Sequence, residues 1–130
     1  MKSFAPGFIE HQPITQNLLR TVRLLGEFKG KETFFKEQIP QALETLRQAA
    51  IIQSTESSNR IEGITAPLKR IQALVAQKTT PRNRSEQEIA GYRDVLNSIH
   101  ANHAHMPFTV GVVLQLHRDL YRYLEGTEER

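Results

Sequence analysis

The sequence has 130 residues, of which 38% are hydrophobic and 24% charged, with a net charge of +3 and no cysteine. That is the size of one domain or part of one, with a globular rather than a disordered composition. It excludes a disulfide framework, cysteine-held metal and thiol chemistry, and so small a basic excess does not argue for a nucleic-acid partner. No apolar run approaches membrane-spanning length. Met1 to Gly7 lacks the apolar segment of a secretory signal, so a cytoplasmic protein with no membrane partner is expected.

Residues 1–13, with Pro6-Gly7 and Pro13, read as an irregular arm anchored by Phe4, Phe8 and Ile9. From Ile14 the apolar residues recur at helical steps, through Leu18, Val22 and Leu25 with Leu19 beside them. Gly26 and Gly30 bracket the end of that helix, and Lys31 to Phe35 reads as a connection or a short turn. A second helix is expected from about Ile39-Pro40, since proline suits a first turn. Its stripe is Leu43, Leu46, Ala50 and Gln53. Thr65 reads as the N-cap of a third helix, with Pro67 in its first turn and Leu68, Ile71, Leu74 and Val75 on its apolar face. Residues 78–84 form a polar linker loop. Ser85 and Glu88 have capping-box spacing, and Ile89, Tyr92, Leu96 and Ile99 line the helix that follows. Residues 101–107 break it. Thr109 caps a last helix carrying Val113, Leu116, Leu120 and Tyr123, ended by Gly126 and followed by a charged tail at 127–130. The expected fold is all-α, with about five helices in an irregular bundle.

Several patterns carry less chemistry than their letters suggest. His100 and His103 have a loose ligand spacing, with His105 close by, but neither cysteine nor a His-Glu-x-x-His arrangement accompanies them, so no metal is assigned. Pro107-Phe108 reads as a loop with an apolar plug. His117-Arg118-Asp119 lies inside an amphipathic helix, where His117 reads as a packed or half-buried residue. Ser57 and Ser58 have no base at a local spacing that would activate a hydroxyl. No catalytic residue is assigned within the chain.

The run from Ser54 to Ile64 is different. Ser58 and Glu62 stand four residues apart, on one helix face. Gly63 reads as the left-handed residue that ends the helix. Glu62 then lies in the last turn, where a carboxylate is disfavoured by roughly 0.3–1 kcal/mol. Glu56 and Arg60 have the favourable order for an ion pair, which leaves Glu62 wanting a cation. Spacing alone equally allows a frayed, solvated helix end.

Ser58-Asn59-Arg60-Ile61-Glu62-Gly63 resembles the inhibitory-helix pattern of Fic-domain proteins: Ser or Thr, three residues, Glu, then Gly or Asn. Residues 13–50, including Ile39-Pro40-Gln41-Ala42-Leu43, are similar to that family's helical N-terminal region. Glu88-Ile89-Ala90-Gly91-Tyr92 and Leu116-His117-Arg118-Asp119-Leu120-Tyr121 resemble the opening helices of the Fic core. The resemblance implies a Fic N-terminal region over 14–77, with the inhibitory helix at about 54–63, and a truncated start of the core over 85–130. The family transfers AMP from ATP to protein hydroxyls through a loop reading His-Pro-Phe, two residues, Gly-Asn-Gly-Arg, two residues, Arg. This chain has no such loop, so it is expected to be inactive alone and to hold no cofactor, while ATP and Mg belong to a complete member. By motif position Glu62 is the inhibitory glutamate, with Ser58 and Gly63 completing the regulatory motif and Ser57 and Ser58 near the nucleotide. The implied partners are a Fic catalytic core in cis, or in trans if the chain acts as an antitoxin-like inhibitor, and the protein substrate of the complete enzyme. A small helical interaction module outside the family is a further reading. The apolar stripe of the last helix also admits self-association.

Overall fold

The computed structural model describes residues 1–124, so Gly126 and the tail at 127–130 lie outside the described residues. The protein is all-α. Five helices, α1 (Gln16–Gln38), α2 (Pro40–Ile61), α3 (Leu68–Val75), α4 (Arg84–Asn102) and α5 (Val110–Leu120), are joined by turns and two short 3-10 segments, with no strand among the described residues. No helix among them is long and apolar enough to cross a membrane. The chain divides into two compact units, Met1–Arg47 and Gln48 onward.

The first unit holds the arm, α1 and the opening turns of α2. Thr15 caps α1 by accepting the Leu18 amide at 3.1 Å. The helix does not stop at Gly26 and Gly30 as the glycines suggested; it runs through both, and Lys31 to Phe35 lies inside it. Each glycine costs a helix about 1 kcal/mol relative to alanine. Ion pairs Arg23–Glu27 and Glu27–Lys31 straddle Gly26 and Gly30 at i,i+4 spacing, and Glu32–Lys36 follows in the next turn, supplying local support. No residue of α1 is buried, and its apolar stripe is exposed, with Ile14 at 74% and Leu25 at 62%. Ile9 is 75% exposed and does not anchor the arm, whereas Phe4 is half-buried.

The second unit is an irregular bundle around Ile51 of α2, Ile71, Leu74 and Val75 of α3, and Ile89 of α4. Burying one such side chain contributes about 1.5–3 kcal/mol. Pro67 occupies the position before α3 and offers no side-chain cap; the Arg70 and Ile71 amides bond to its carbonyl instead, so Thr65 is not the N-cap. Nor is Ser85 the cap of α4. Asn83 takes that role, accepting the Glu86 amide at 2.9 Å. The expected capping box is absent because the Glu88 side chain meets Arg84 at 3.0 Å. Thr109 caps α5 as expected, accepting the Val112 amide. α5 ends at Leu120, six residues before Gly126, in a turn over residues 121–124. Phe108 is 83% exposed rather than a buried plug, and His117 is exposed with its ring edge-on to Tyr121.

Two backbone features hold the bundle's shape. Gln77 follows α3 in the left-handed region at φ 55, with its amide bonded to the Leu74 carbonyl and the Lys78 amide to the Ala73 carbonyl. This is the hydrogen-bond pattern of a glycine-type helix stop built on a residue with a side chain. Gly91 of α4 lies directly against the last turn of α5, where a methyl group would overlap the Leu120 carbonyl oxygen and stand 2.8 Å from its carbon. Gly91→Ala should lower stability by about 2–3 kcal/mol, as overpacking against backbone does. Gln77→Gly should raise it by about 0.5–1 kcal/mol through relief of the left-handed strain. Urea unfolding of the two variants beside the wild type checks both signs.

Candidate functional site

Helix α2 runs through the serine-rich stretch without interruption and stops at Ile61. Gly63 then turns left-handed at φ 76. Its amide bonds to the Arg60 carbonyl at 3.0 Å, and the Ile64 amide returns to the Asn59 carbonyl at 2.9 Å. These two bonds satisfy carbonyls that a helix end otherwise leaves open. Ile64 packs on the bundle core, and Asn59, nearly buried, donates to the Thr55 carbonyl at 2.7 Å. The end of α2 is therefore an ordered stop rather than a frayed one.

Ser54, Ser58 and Glu62 recur one turn apart on the same face of this segment. Tyr92 of α4 meets that face. Its hydroxyl lies 3.1 Å from the Ser54 hydroxyl and donates to the Ser58 hydroxyl at 3.0 Å. Ser58, Asn59 and Glu62 line one side of a cleft of about 620 Å³; Ile64, Glu88, Tyr92, Leu120 and Tyr121 complete it. Ser58, Glu62 and the neighbour of Gly63 are thus brought together. Ser57 is not: it donates to Glu56 at 3.2 Å and lies off the cleft.

The charges around the cleft are unevenly spent. Arg60 pairs with Glu56 at 3.1 Å, as its spacing suggested, and Arg84 pairs with Glu88 at 3.0 Å. Among the described residues the exposed Glu62 carboxylate makes no ion pair. No lysine or arginine among the described residues lines the cleft. A carboxylate so placed accepts a cation, and a guanidinium matches its two oxygens best. The same lining does not favour a nucleotide triphosphate, because among the described residues it presents two carboxylates and no cation to the space. A second groove of about 500 Å³ along Ala49, Ile52, Gln53 and Glu56 offers one carboxylate, already paired with Arg60. The histidines assemble no site: among the described residues no group of three or more His, Cys, Asp or Glu is placed to hold a metal ion.

Two supporting networks had no signal in local spacing. Arg70 of α3 grips the nearly buried Glu86 with two parallel bonds, Nε to Oε1 at 2.8 Å and an Nη to Oε2 at 2.6 Å. Arg70 also reaches the Thr79 hydroxyl and the Thr80 carbonyl, and the Arg82 amide donates to Glu86 at 2.9 Å. The polar loop at 78–84 is therefore tied to both flanking helices. Buried Arg93 donates to the Leu74 carbonyl, pairs with Asp94 and reaches the Tyr123 hydroxyl, which itself donates to Asp94 at 2.6 Å. That hydrogen bond, with burial, raises the Tyr123 hydroxyl above its ordinary pKa. The Thr55 hydroxyl is fully buried without a partner.

Set against known proteins, the chain matches no family model and no curated protein.

The Arg70 hydrogen bonds hold the Glu86 carboxyl at about 2, against an ordinary value of 4.5; burial opposes the shift, and the Arg82 amide and nearby positive charge add to it. A carboxylate whose pKa is lowered by folding stabilises the fold fully above its unfolded pKa and loses that contribution as pH falls through the folded one. Stability should therefore decline as pH drops from 4.5 toward 2. Glu86→Gln should be clearly less stable than wild type at pH 6, with the gap narrowing at pH 3. Urea unfolding of both proteins at the two pH values reads this directly.

Proposed function

We propose that this chain is the N-terminal inhibitory and scaffold portion of a cytoplasmic Fic-type protein adenylyltransferase, with Glu62 as the inhibitory glutamate. The observation that carries the reading is the position of Glu62. It closes α2 at the edge of a cleft, one turn beyond Ser58 and just before left-handed Gly63, with no cation paired to it among the described residues. The motif Ser58-Asn59-Arg60-Ile61-Glu62-Gly63 supplies the chemistry expected there.

In the family that Ser58 to Gly63 resembles, the inhibitory glutamate pairs with the last arginine of the catalytic loop and keeps the terminal phosphate of the nucleotide from its productive position. The arginine comes from outside these 130 residues, in cis from a following core or in trans from a separate protein. A charge-assisted, two-pronged pair in a half-enclosed cleft is stronger than a surface ion pair, because water competes less for both partners. The helix stop matters to this role. With its Asn59 and Arg60 carbonyls satisfied by the Ile64 and Gly63 amides, the end of α2 is held against fraying. ATP and its Mg²⁺ ion would be held by the catalytic loop of the complete enzyme, not by residues of this chain.

The test joins this chain to a Fic core that carries the His-Pro-Phe…Gly-Asn-Gly-Arg loop, and also mixes the two as separate proteins. AMP transfer from ATP is followed by mass. Glu62→Gln keeps the side chain's shape and removes its charge. It should raise transfer roughly 10–100-fold, the range of a hydrogen bond to a charged partner. Inhibition in the mixed proteins as well as the joined one identifies a trans-acting inhibitor; inhibition in the joined chain alone identifies a cis element. If Glu62→Gln leaves transfer unchanged in both while circular dichroism shows the helices intact, the assignment is wrong.

A further inference from the structure

We infer that Tyr92 is the positioning residue for the inhibitory end of α2: its hydroxyl, set between Ser54 and Ser58, orients the helix face that ends in Glu62. The inference rests on the reading of Glu62 given above and names the residue that makes it work.

The geometry allows one direction of hydrogen bonding. A phenol carries one donor hydrogen. Tyr92 spends it on the Ser58 hydroxyl at 3.0 Å, so the contact with Ser54 at 3.1 Å runs from the serine to the tyrosine. The order is Ser54 to Tyr92 to Ser58. The Ser58 oxygen is thereby committed as an acceptor, and its own O–H remains for a second acceptor. Ser58 and Glu62 both line the cleft, so that remaining donor stands one turn from the unpaired carboxylate.

Two bonds from one rigid side chain to two successive turns constrain rotation of the helix about its axis, which a single contact would not. Rotation is the motion that matters here, because it swings Glu62 away from the cleft without breaking any backbone bond of α2. Tyr92 is itself well held. It lies on α4 one residue from Gly91, which packs against the α5 backbone, and from Arg93, which is buried and bonded to the Leu74 carbonyl. The apolar contacts of Ile51 and Ile64 hold α2 against the bundle but carry little directional preference. Direction comes from the hydroxyl bridge.

Tyr92→Phe retains the ring and deletes the bridge. In the 130-residue chain, amide hydrogen exchange over residues 58–64 should quicken roughly 5–10-fold, the worth of one net hydrogen bond or slightly more. Exchange over Leu68–Val75 through openings that leave the bridge intact should stay near wild type, while the urea midpoint falls by the equivalent of the same hydrogen bond. The Ser54→Ala/Ser58→Ala double variant should reproduce the local change, and adding Tyr92→Phe to it should add nothing. In the chain joined to a Fic core, Tyr92→Phe should raise AMP transfer by a smaller factor than Glu62→Gln does. Wild-type exchange over 58–64 in Tyr92→Phe overturns the proposal, as does an additive triple variant; AMP transfer left at the wild-type level by Tyr92→Phe in a joined chain that does respond to Glu62→Gln marks a merely structural bond and overturns it as well. Should Tyr92→Phe fail to fold, the double serine variant decides alone: unchanged local exchange there refutes the bridge. If Glu62→Gln leaves AMP transfer unaltered, the inhibitory reading falls, while the exchange measurement still determines whether Tyr92 orients the helix end.

Discussion

At Gly63 the backbone turns left-handed, and the Ile64 amide returns to the Asn59 carbonyl as the Ile64 side chain reaches the bundle core. A residue with a Cβ in that conformation carries a cost of about 1–2 kcal/mol, which glycine avoids. The turn does three things at once. It satisfies the Asn59 and Arg60 carbonyls of α2, redirects the chain toward α3, and leaves Glu62 at the cleft edge without an ion pair among the described residues. A helix continuing past residue 62 would carry Ile64 away from the core and bury or displace the carboxylate. The cleft, the free charge and the connection to the bundle all depend on this one stop.

α4 is the element against which that stop is measured. It contributes Ile89 to the core, Tyr92 to the serine face, Arg93 to the end of α3, and Glu86 to the clamp on Arg70. Gly91 lets α5 approach until its backbone touches α4, which places Leu120 and Tyr121 on the far side of the cleft. The polar contacts are buried or half-buried and mutually satisfied, so they specify direction where apolar burial specifies only proximity. The exception is Thr55, whose fully buried hydroxyl has no partner. It sits one residue after Ser54, on a segment whose other side-chain hydroxyls are bonded, and the structure offers no physical account of it.

Local sequence signals were reliable where the structure depends on neighbours along the chain. Thr109 caps α5, Pro40 opens α2, Gly63 closes it, and Glu56 pairs with Arg60. They failed where two local signals competed. Gly26 and Gly30 looked like a helix end, yet α1 runs through both, with the i,i+4 pairs Arg23–Glu27 and Glu27–Lys31 across them. Ser85 had the spacing of a cap, yet α4 starts at Arg84 and Asn83, just before it, accepts the first-turn Glu86 amide. Gly126 looked like the end of α5, but the helix stops at Leu120 in a turn held by Tyr121 and Leu124 amides.

By itself the sequence determined the all-α class, the number of helices, and the alignment of Ser58, Glu62 and Gly63, because helical periodicity, caps and left-handed stops are set by residues within one or two turns of each other. Only the tertiary structure decided that Glu62 opens on a cleft, that Tyr92 bridges Ser54 and Ser58, and that Arg70 holds Glu86. Those partners are 16 to 38 residues apart and lie on different helices. Tyr92 read as one member of an apolar stripe, since periodicity registers the ring and is blind to the direction of its hydroxyl. That direction is set by how α2 and α4 meet across the core, which no local pattern encodes.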